Sequence, residues 1–374
     1  MRNRTTAVPL AGVVLAVGLL LSSGCTAPAS IPSAASSPTA SASTSATIPT
    51  PATGKIALGY YAGDDPIVYK SVTSFTSSIN AVSAARFEIN DKGEVTGTLP
   101  NSELLPFDKA HNIRTYAGVY DSAGNGFDGK LAHTAMVTNK DKMIASLVTL
   151  AKDGGYDGLN LDFEALDVAD RDAYTAFVTA LATKLHAEGL TLVLSVPAKP
   201  ADDKTDDWSY PFDYAAIGKV ADLLQLMTYD QNGPDWSDPG PVAGADWVES
   251  CLAYATSVVD PSKLLMGLGA YGYDWDLTAH KKTGTYPSSF VAWTKFSDWL
   301  TVPGAVEHWN DTSLSPSVTY TLKGHKHEAW FENTKSIQAK TSFVPKYKLA
   351  GFAMYAMGQE DASFWQAATA GAGS

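Results

Sequence analysis

The chain has 374 residues, 45% of them apolar and 18% charged, with a formal net charge of −12. This is globular composition, long enough for one large domain or two small ones. The acidic balance argues against nucleic acid, which needs clustered Lys and Arg, and against electrostatic attachment to anionic lipid. A neutral or weakly charged ligand fits better.

Arg2 and Arg4 precede a short apolar run, Ala7 to Leu21, too short for a comfortable membrane span. Leu21-Ser-Ser-Gly-Cys25 follows and resembles a bacterial lipobox, whose cysteine is lipidated and begins the mature protein. Ser22 stands where many lipoboxes carry Leu. The expectation is a lipoprotein signal over residues 1–25, with Cys25 carrying the acyl chains that hold the protein on the outer face of the bacterial cell membrane. A plain secretory signal is the alternative. Residues 26–53 are almost entirely Ala, Ser, Thr and Pro. Such a stretch cannot bury a core and reads as a disordered linker. With Cys25 lipidated, Cys251 has no partner. Trp247, Val248, Leu252 and Ala255 give it a helical apolar setting, so it reads as a small buried hydrophobe.

The folded part is expected over 54–370. Short β-rich runs occur at Ile56–Tyr61, Ala84–Ile89, Ile113–Tyr120, Gly158–Phe163, Leu190–Val196, Leu223–Tyr229, Leu264–Leu268 and Ala350–Tyr355. Helical patterns separate most of them. Asn139 to Lys152 is one, ending at Gly154-Gly155. Asp170 to His186 is clearer, with Tyr174, Phe177, Val178, Leu181 and Leu185 on one face and Gly189 as its stop. Alternating β and α elements imply a parallel sheet, and eight runs favour a closed TIM (β/α)8 barrel. About eighty residues separate the last two runs, too many for one loop and helix. The Thr- and aromatic-rich pieces there predict a small α+β insertion, about 271–328, after the seventh strand and at the rim where barrel active sites form.

In the fourth run, Leu159, Leu161 and Phe163 share one face of a strand, and Asn160, Asp162 and Glu164 share the other. The apolar set must face the helices. An amide and two carboxylates therefore enter the barrel interior near the C-terminal end of the strand. Burying carboxylates costs several kcal/mol unless partners compensate, and folding does not require it. Carboxylates one strand repeat apart, about 6–7 Å, couple, so that one stays ionised while the other holds its proton as a general acid must. A carboxylate metal site would want His partners, and none of the seven histidines forms a paired ligand motif. In the sixth run, Gln225, Met227 and Tyr229 share the interior face, with Asp230 at the strand end.

These residues resemble glycoside hydrolase family 18, the chitinase-like family. The pattern Asp-Gly-x-Asp/Asn-x-Asp-x-Glu is matched by Asp157, Gly158, Asn160, Asp162 and Glu164. Gln-x-Met-x-Tyr-Asp is matched by Gln225, Met227, Tyr229 and Asp230. Asn160, the stretch Gly269 to Trp275 and the run Trp330 to Lys340 are similar to the spore-germination-type branch, which acts on peptidoglycan N-acetylglucosamine linkages. The resemblance implies a retaining, substrate-assisted hydrolase that needs no metal or organic cofactor. Glu164 would protonate the glycosidic oxygen, and the 2-acetamido group of the substrate would be the nucleophile. Asp162 would orient that group, Tyr229 would hydrogen-bond its carbonyl, and Asp230 would contact the sugar. Asn160, Gln225, Met227 and Tyr60 are further candidates for the substrate site. Tyr355 stands where the family usually carries a Trp as the floor beneath the sugar. Tyr61, Trp236, Tyr271, Tyr273 and Trp275 are candidate sugar platforms near the rim. The expected partner is a polysaccharide, with peptidoglycan favoured over chitin-type glycan. A catalytically inactive carbohydrate-binding lipoprotein of the same fold is the alternative.

Overall fold

Short segments rich in Leu, Val, Ala and Tyr alternate with amphipathic helices from residue 56 onward. In the computed structural model, which describes residues 54–99, 101–122, 126–234, 236–279 and 285–373, they close into a barrel. Cys25 and the segment 26–53 lie outside the described residues. The strands are β1 (Ile56–Ala62), β2 (Ala81–Ile89), β3 (Val95–Thr96), β4 (Arg114–Tyr120), β5 (Gly158–Asp162), β6 (Thr191–Pro197), β7 (Leu223–Met227), β8 (Leu264–Gly269), β9 (Tyr271–Asp276), β10 (Ser288–Ala292), β11 (Val306–Asn310), β12 (Ser315–Leu322), β13 (His325–Trp330) and β14 (Gly351–Tyr355). The α-helices are α1 (Pro66–Ser74), α2 (Leu104–Ala110), α3 (Gly129–His133), α4 (Lys140–Asp153), α5 (Arg171–Ala187), α6 (Tyr214–Val220), α7 (Ala245–Val258), α8 (Phe296–Leu300), α9 (Thr334–Thr341), α10 (Phe343–Lys346) and α11 (Ala362–Ala372).

Eight strands pair in parallel in the order β1-β14-β8-β7-β6-β5-β4-β2, and β1 pairs with β2 to close the ring. Residues of one parity face the helices: Leu159, Leu161 and Phe163 are fully buried in the layer between barrel and helices. Tyr174, Phe177, Val178, Leu181 and Leu185 of α5 meet them there. Gly158 lets β5 enter close beside β6, since a Cβ on it would lie 2.0 Å from the Thr191 carbonyl oxygen. The chain enters β1 from Gly54. Gly54, Lys55, Asn112 and Arg114 line a recess of about 180 Å³ at the end where β1 and β4 begin. The catalytic candidates lie at the opposite end, where the strands finish.

Two strand limits differ from expectation by more than one residue. β2 begins at Ala81, three residues before Ala84, because the small residues Ala81 and Ser83 give little β signal but pack readily inside a barrel. β7 stops at Met227 rather than continuing to Tyr229. There the Thr228 hydroxyl donates to the Gly267 carbonyl at 2.8 Å, and Asp230 takes φ 58°. The chain turns, and Tyr229 is delivered by the turn.

A second, antiparallel sheet follows β8 in the order β10-β9-β13-β12-β11, with α8 between β10 and β11. Its strands run from Tyr271 to Trp330. β9 starts two residues after β8 ends, so this sheet rises directly from the rim. Among the described residues no helix is long and apolar enough to cross a membrane.

Candidate active site

The barrel interior carries a chain of hydrogen bonds that crosses five strands. Ser83 Oγ donates to Asn160 Oδ1 at 2.7 Å, and Asn160 Nδ2 donates to Ser195 Oγ at 2.9 Å. Ser195 Oγ and the Tyr60 hydroxyl are 2.8 Å apart, and that hydroxyl donates to Gln225 Oε1 at 3.0 Å. Gln225 Nε2 then donates to the Leu226 carbonyl at 2.9 Å. All five side chains are buried. Each polar atom in this floor is satisfied, which is what makes a buried polar network rigid rather than costly. Asn160 and Gln225 thus stand in the interior as anticipated from strand parity, and Tyr60, expected among the substrate-site candidates, joins them there. Ser83 and Ser195 were not anticipated; their parity with the other interior residues was the available signal.

Above the floor sit the acids. Asp162 and Glu164 are 9% and 8% exposed, open to solvent only at the mouth. Burial raises the carboxyl pKa of both. Glu164 is raised further by the neighbouring carboxylates of Asp162, Asp121 and Asp230, which favours the protonated form a general acid needs. Asp162 Oδ1 is buried with no hydrogen-bond partner among the described residues. Asp121, the residue after β4, is fully buried and accepts the Glu164 backbone N–H at 3.0 Å. Sequence reasoning missed it, because one Asp after an apolar run also reads as an ordinary turn residue.

Tyr229, Tyr355, Tyr60 and Tyr271 form an aromatic wall. The Tyr229 ring lies 6.1 Å from Tyr355 and 6.3 Å from Tyr271, and Tyr355 lies 5.9 Å from Tyr60. The Tyr271 and Tyr273 hydroxyls both donate to Asp230 Oδ1, at 2.7 and 2.8 Å. Burial raises the Asp230 pKa, and these two bonds oppose that rise. The insertion is therefore tied to the barrel rim through Asp230. Trp236 meets Tyr273 edge-on at 6.4 Å. Met227, half-buried, ends β7. Two of the expected platforms lie elsewhere. Tyr61 packs in the layer between barrel and helices, and Trp275 is fully buried beside Tyr273.

An acid pair at and just past the end of the fourth barrel strand, with a polar floor and an aromatic wall, suits a carbohydrate-cleaving site. The profile described as "Glycosyl hydrolases family 18" matches residues 98–360. The chain belongs to glycosyl hydrolase family 18. It is 39% identical over 317 residues to the protein described as "Uncharacterized glycosylase YvbX" of Bacillus subtilis (strain 168), covering 83% of this chain and 90% of that one. Among solved structures it is similar to a chitinase from Chromobacterium violaceum ATCC 12472, at 34% identity and a TM-score of 0.80. That match covers 86% of this chain and 99% of the chitinase. The spore cortex-lytic enzyme SleL of Bacillus megaterium QM B1551 matches at 25% identity and a TM-score of 0.74, covering 83% of this chain and 72% of SleL. The family 18 barrel makes the protein a glycosidase.

Proposed function

We propose that this glycosidase cleaves β-1,4 linkages of N-acetylglucosamine-containing polysaccharide with retention, by substrate-assisted catalysis. The observation that carries the reading is the buried acid pair of Glu164 and Asp162, in which burial and the Asp162 charge push the Glu164 carboxyl toward its protonated form. Glu164 gives its proton to the glycosidic oxygen as the bond to C1 breaks. The acetamido carbonyl oxygen of the substrate attacks C1 and forms an oxazolinium ion. Asp162 accepts a hydrogen bond from the acetamido N–H and stabilises the positive charge. Tyr229 donates to the acetamido carbonyl. Glu164 then takes a proton from the water that opens the ring from the opposite side, and retention follows. Asp230 contacts the sugar at the cleaved position, and Tyr355 lies beneath it.

Peptidoglycan is favoured over chitin. The likeness to a spore cortex-lytic enzyme supports it, as does the lipobox-like stretch ending at Cys25, whose lipidation would keep the enzyme on the outer membrane face beneath the wall. The test is release of reducing ends from purified peptidoglycan and from chitin oligomers by the wild type and by Glu164→Gln. Loss of a general acid lowers the rate about 10²- to 10⁴-fold. Full turnover by Glu164→Gln would sink the mechanism. Binding of glycan without turnover by the wild type would leave a carbohydrate-binding protein instead.

A further inference from the structure

We propose that Asp121 is a positioning residue of the active site that acts on Glu164 twice, by pinning its backbone and by crowding its carboxyl with a third acid. This rests on Glu164 being the acid of the reading above.

The pinning follows from where the strand ends. Pairing of β5 with β6 finishes at Leu161, and pairing with β4 finishes at Asp162. Glu164 lies beyond both ladders, so regular sheet structure does not fix its backbone. Its N–H goes to Asp121 Oδ1 at 3.0 Å instead. The next residue, Ala165, takes φ 52°, a left-handed conformation that is strained for any residue with a Cβ. Gly129 closes on this turn from the same loop: a Cβ there would lie 2.2 Å from the Ala165 carbonyl oxygen. The Asp128 N–H donates back to the Asp121 carbonyl at 2.8 Å and closes the loop. The acid is thus presented by a bent backbone held from the third barrel strand.

Pinning alone does not need a carboxylic acid. An Asn would accept the same N–H without the desolvation cost of a buried acid. Asp121 Oδ2 is buried and has no hydrogen-bond partner among the described residues, so the second oxygen is a cost to folding with no structural return. Its surroundings are acidic. Asp162 and Glu164 face it from β5 and the turn that follows, Asp128 from its own loop, and the buried Tyr174 hydroxyl from α5. Burial, then the Asp162 charge, raises the Asp121 carboxyl well above its usual range. Its negative charge, when it forms, acts on Glu164 in the same upward sense. Asn160 cannot supply this third acid, since its neutral amide is engaged by Ser83 and Ser195. These three acids, with Asp230 also acting on Glu164 from the turn after β7, release their protons as a coupled set. Removing one lets the others ionise at lower pH.

The test uses the purified full chain on N-acetylglucosamine oligomers, with kcat and KM measured from pH 4 to about 10. Asp121→Asn keeps the acceptor and removes the acid. We expect its kcat at the optimum within about threefold of wild type, its KM unchanged, and the alkaline limb of the profile moved about one pH unit toward acid. Asp121→Ala removes both functions; its kcat should fall about 10- to 100-fold, and the Asn variant should restore it. An Asp121→Asn profile that superimposes on wild type overturns the proposal, and does so even if the Ala variant fails to fold. If Glu164→Gln is inactive in the same assay, that failure belongs to Asp121 alone. If Glu164→Gln is fully active, the reading of Glu164 itself fails.

Discussion

Tyr355 stands at the end of β14 with its ring between those of Tyr60 and Tyr229. The position was legible from parity with Gly351 and Ala353 and from the resemblance, and the geometry fits a floor for a sugar ring. A Tyr offers less stacking area than the usual Trp, so its contribution lies in the face of the ring and not in its hydroxyl. Tyr355→Ala should raise KM for N-acetylglucosamine oligomers about tenfold, while Tyr355→Phe stays close to wild type. Equal KM values for all three would remove Tyr355 from the substrate site. Glu164 and Asp162 were legible for a related reason: strand parity gives carboxylates on an inward face no folding role. Asp121 was not, because its partner is a backbone N–H some forty residues away, and sequence carries no trace of such a bond. Tyr61 misled as a rim candidate. It neighbours Tyr60 in the chain, yet alternation sends it to the other side of the sheet.

At the scale of elements, α9 shows how the insertion is fastened behind the mouth. Lys340 Nζ meets Glu332 Oε1 at 2.5 Å and Ser315 Oγ at 2.9 Å, and both charged residues are 2% exposed. Burial lowers the Lys340 pKa and the Glu332 charge opposes it. This joins α9 to the start of β12 and to the residue two places past β13. Breaking such a pair from one side leaves a buried charge and costs about 3–5 kcal/mol. Lys340→Met should therefore destabilise the domain by about that much in urea unfolding, and Lys340→Met with Glu332→Leu should recover most of it. A single variant as stable as wild type would mean that the pair contributes nothing. The run Trp330 to Lys340 was visible in the sequence, but its purpose was not. A Glu and a Lys eight residues apart announce no contact when the Glu stands just before the helix that carries the Lys. The barrel strands were easier, since their apolar residues recur wherever a helix must cover them. Their ends were harder, since turns such as that at Thr228 are set by tertiary hydrogen bonds.

For the whole molecule, buried acids set the response to pH. Asp108 is fully buried, accepts from the Thr115 hydroxyl at 2.8 Å, and is pushed up to about 7 by burial. Asp121 and Glu360 are shifted upward for the same first reason. In each case the folded state retains a proton that the unfolded chain releases near pH 4. Stability is therefore full below about pH 4 on this account and falls as pH rises toward 7 and beyond. Tm should drop between pH 5 and pH 8, and Asp108→Asn, which keeps an acceptor for Thr115, should flatten that drop. An identical pH dependence in the variant would show that Asp108 does not titrate in this range. The direction in which the chain enters the barrel bears on how the enzyme is held. Gly54 leads into the start of β1, and the acids lie where the strands finish. Whatever grips the protein by its N-terminal segment grips it by the base, like a lamp on its stalk. If Cys25 carries a lipid, as proposed, the attachment lies toward the barrel end where β1 begins, and the cleft lies at the other end.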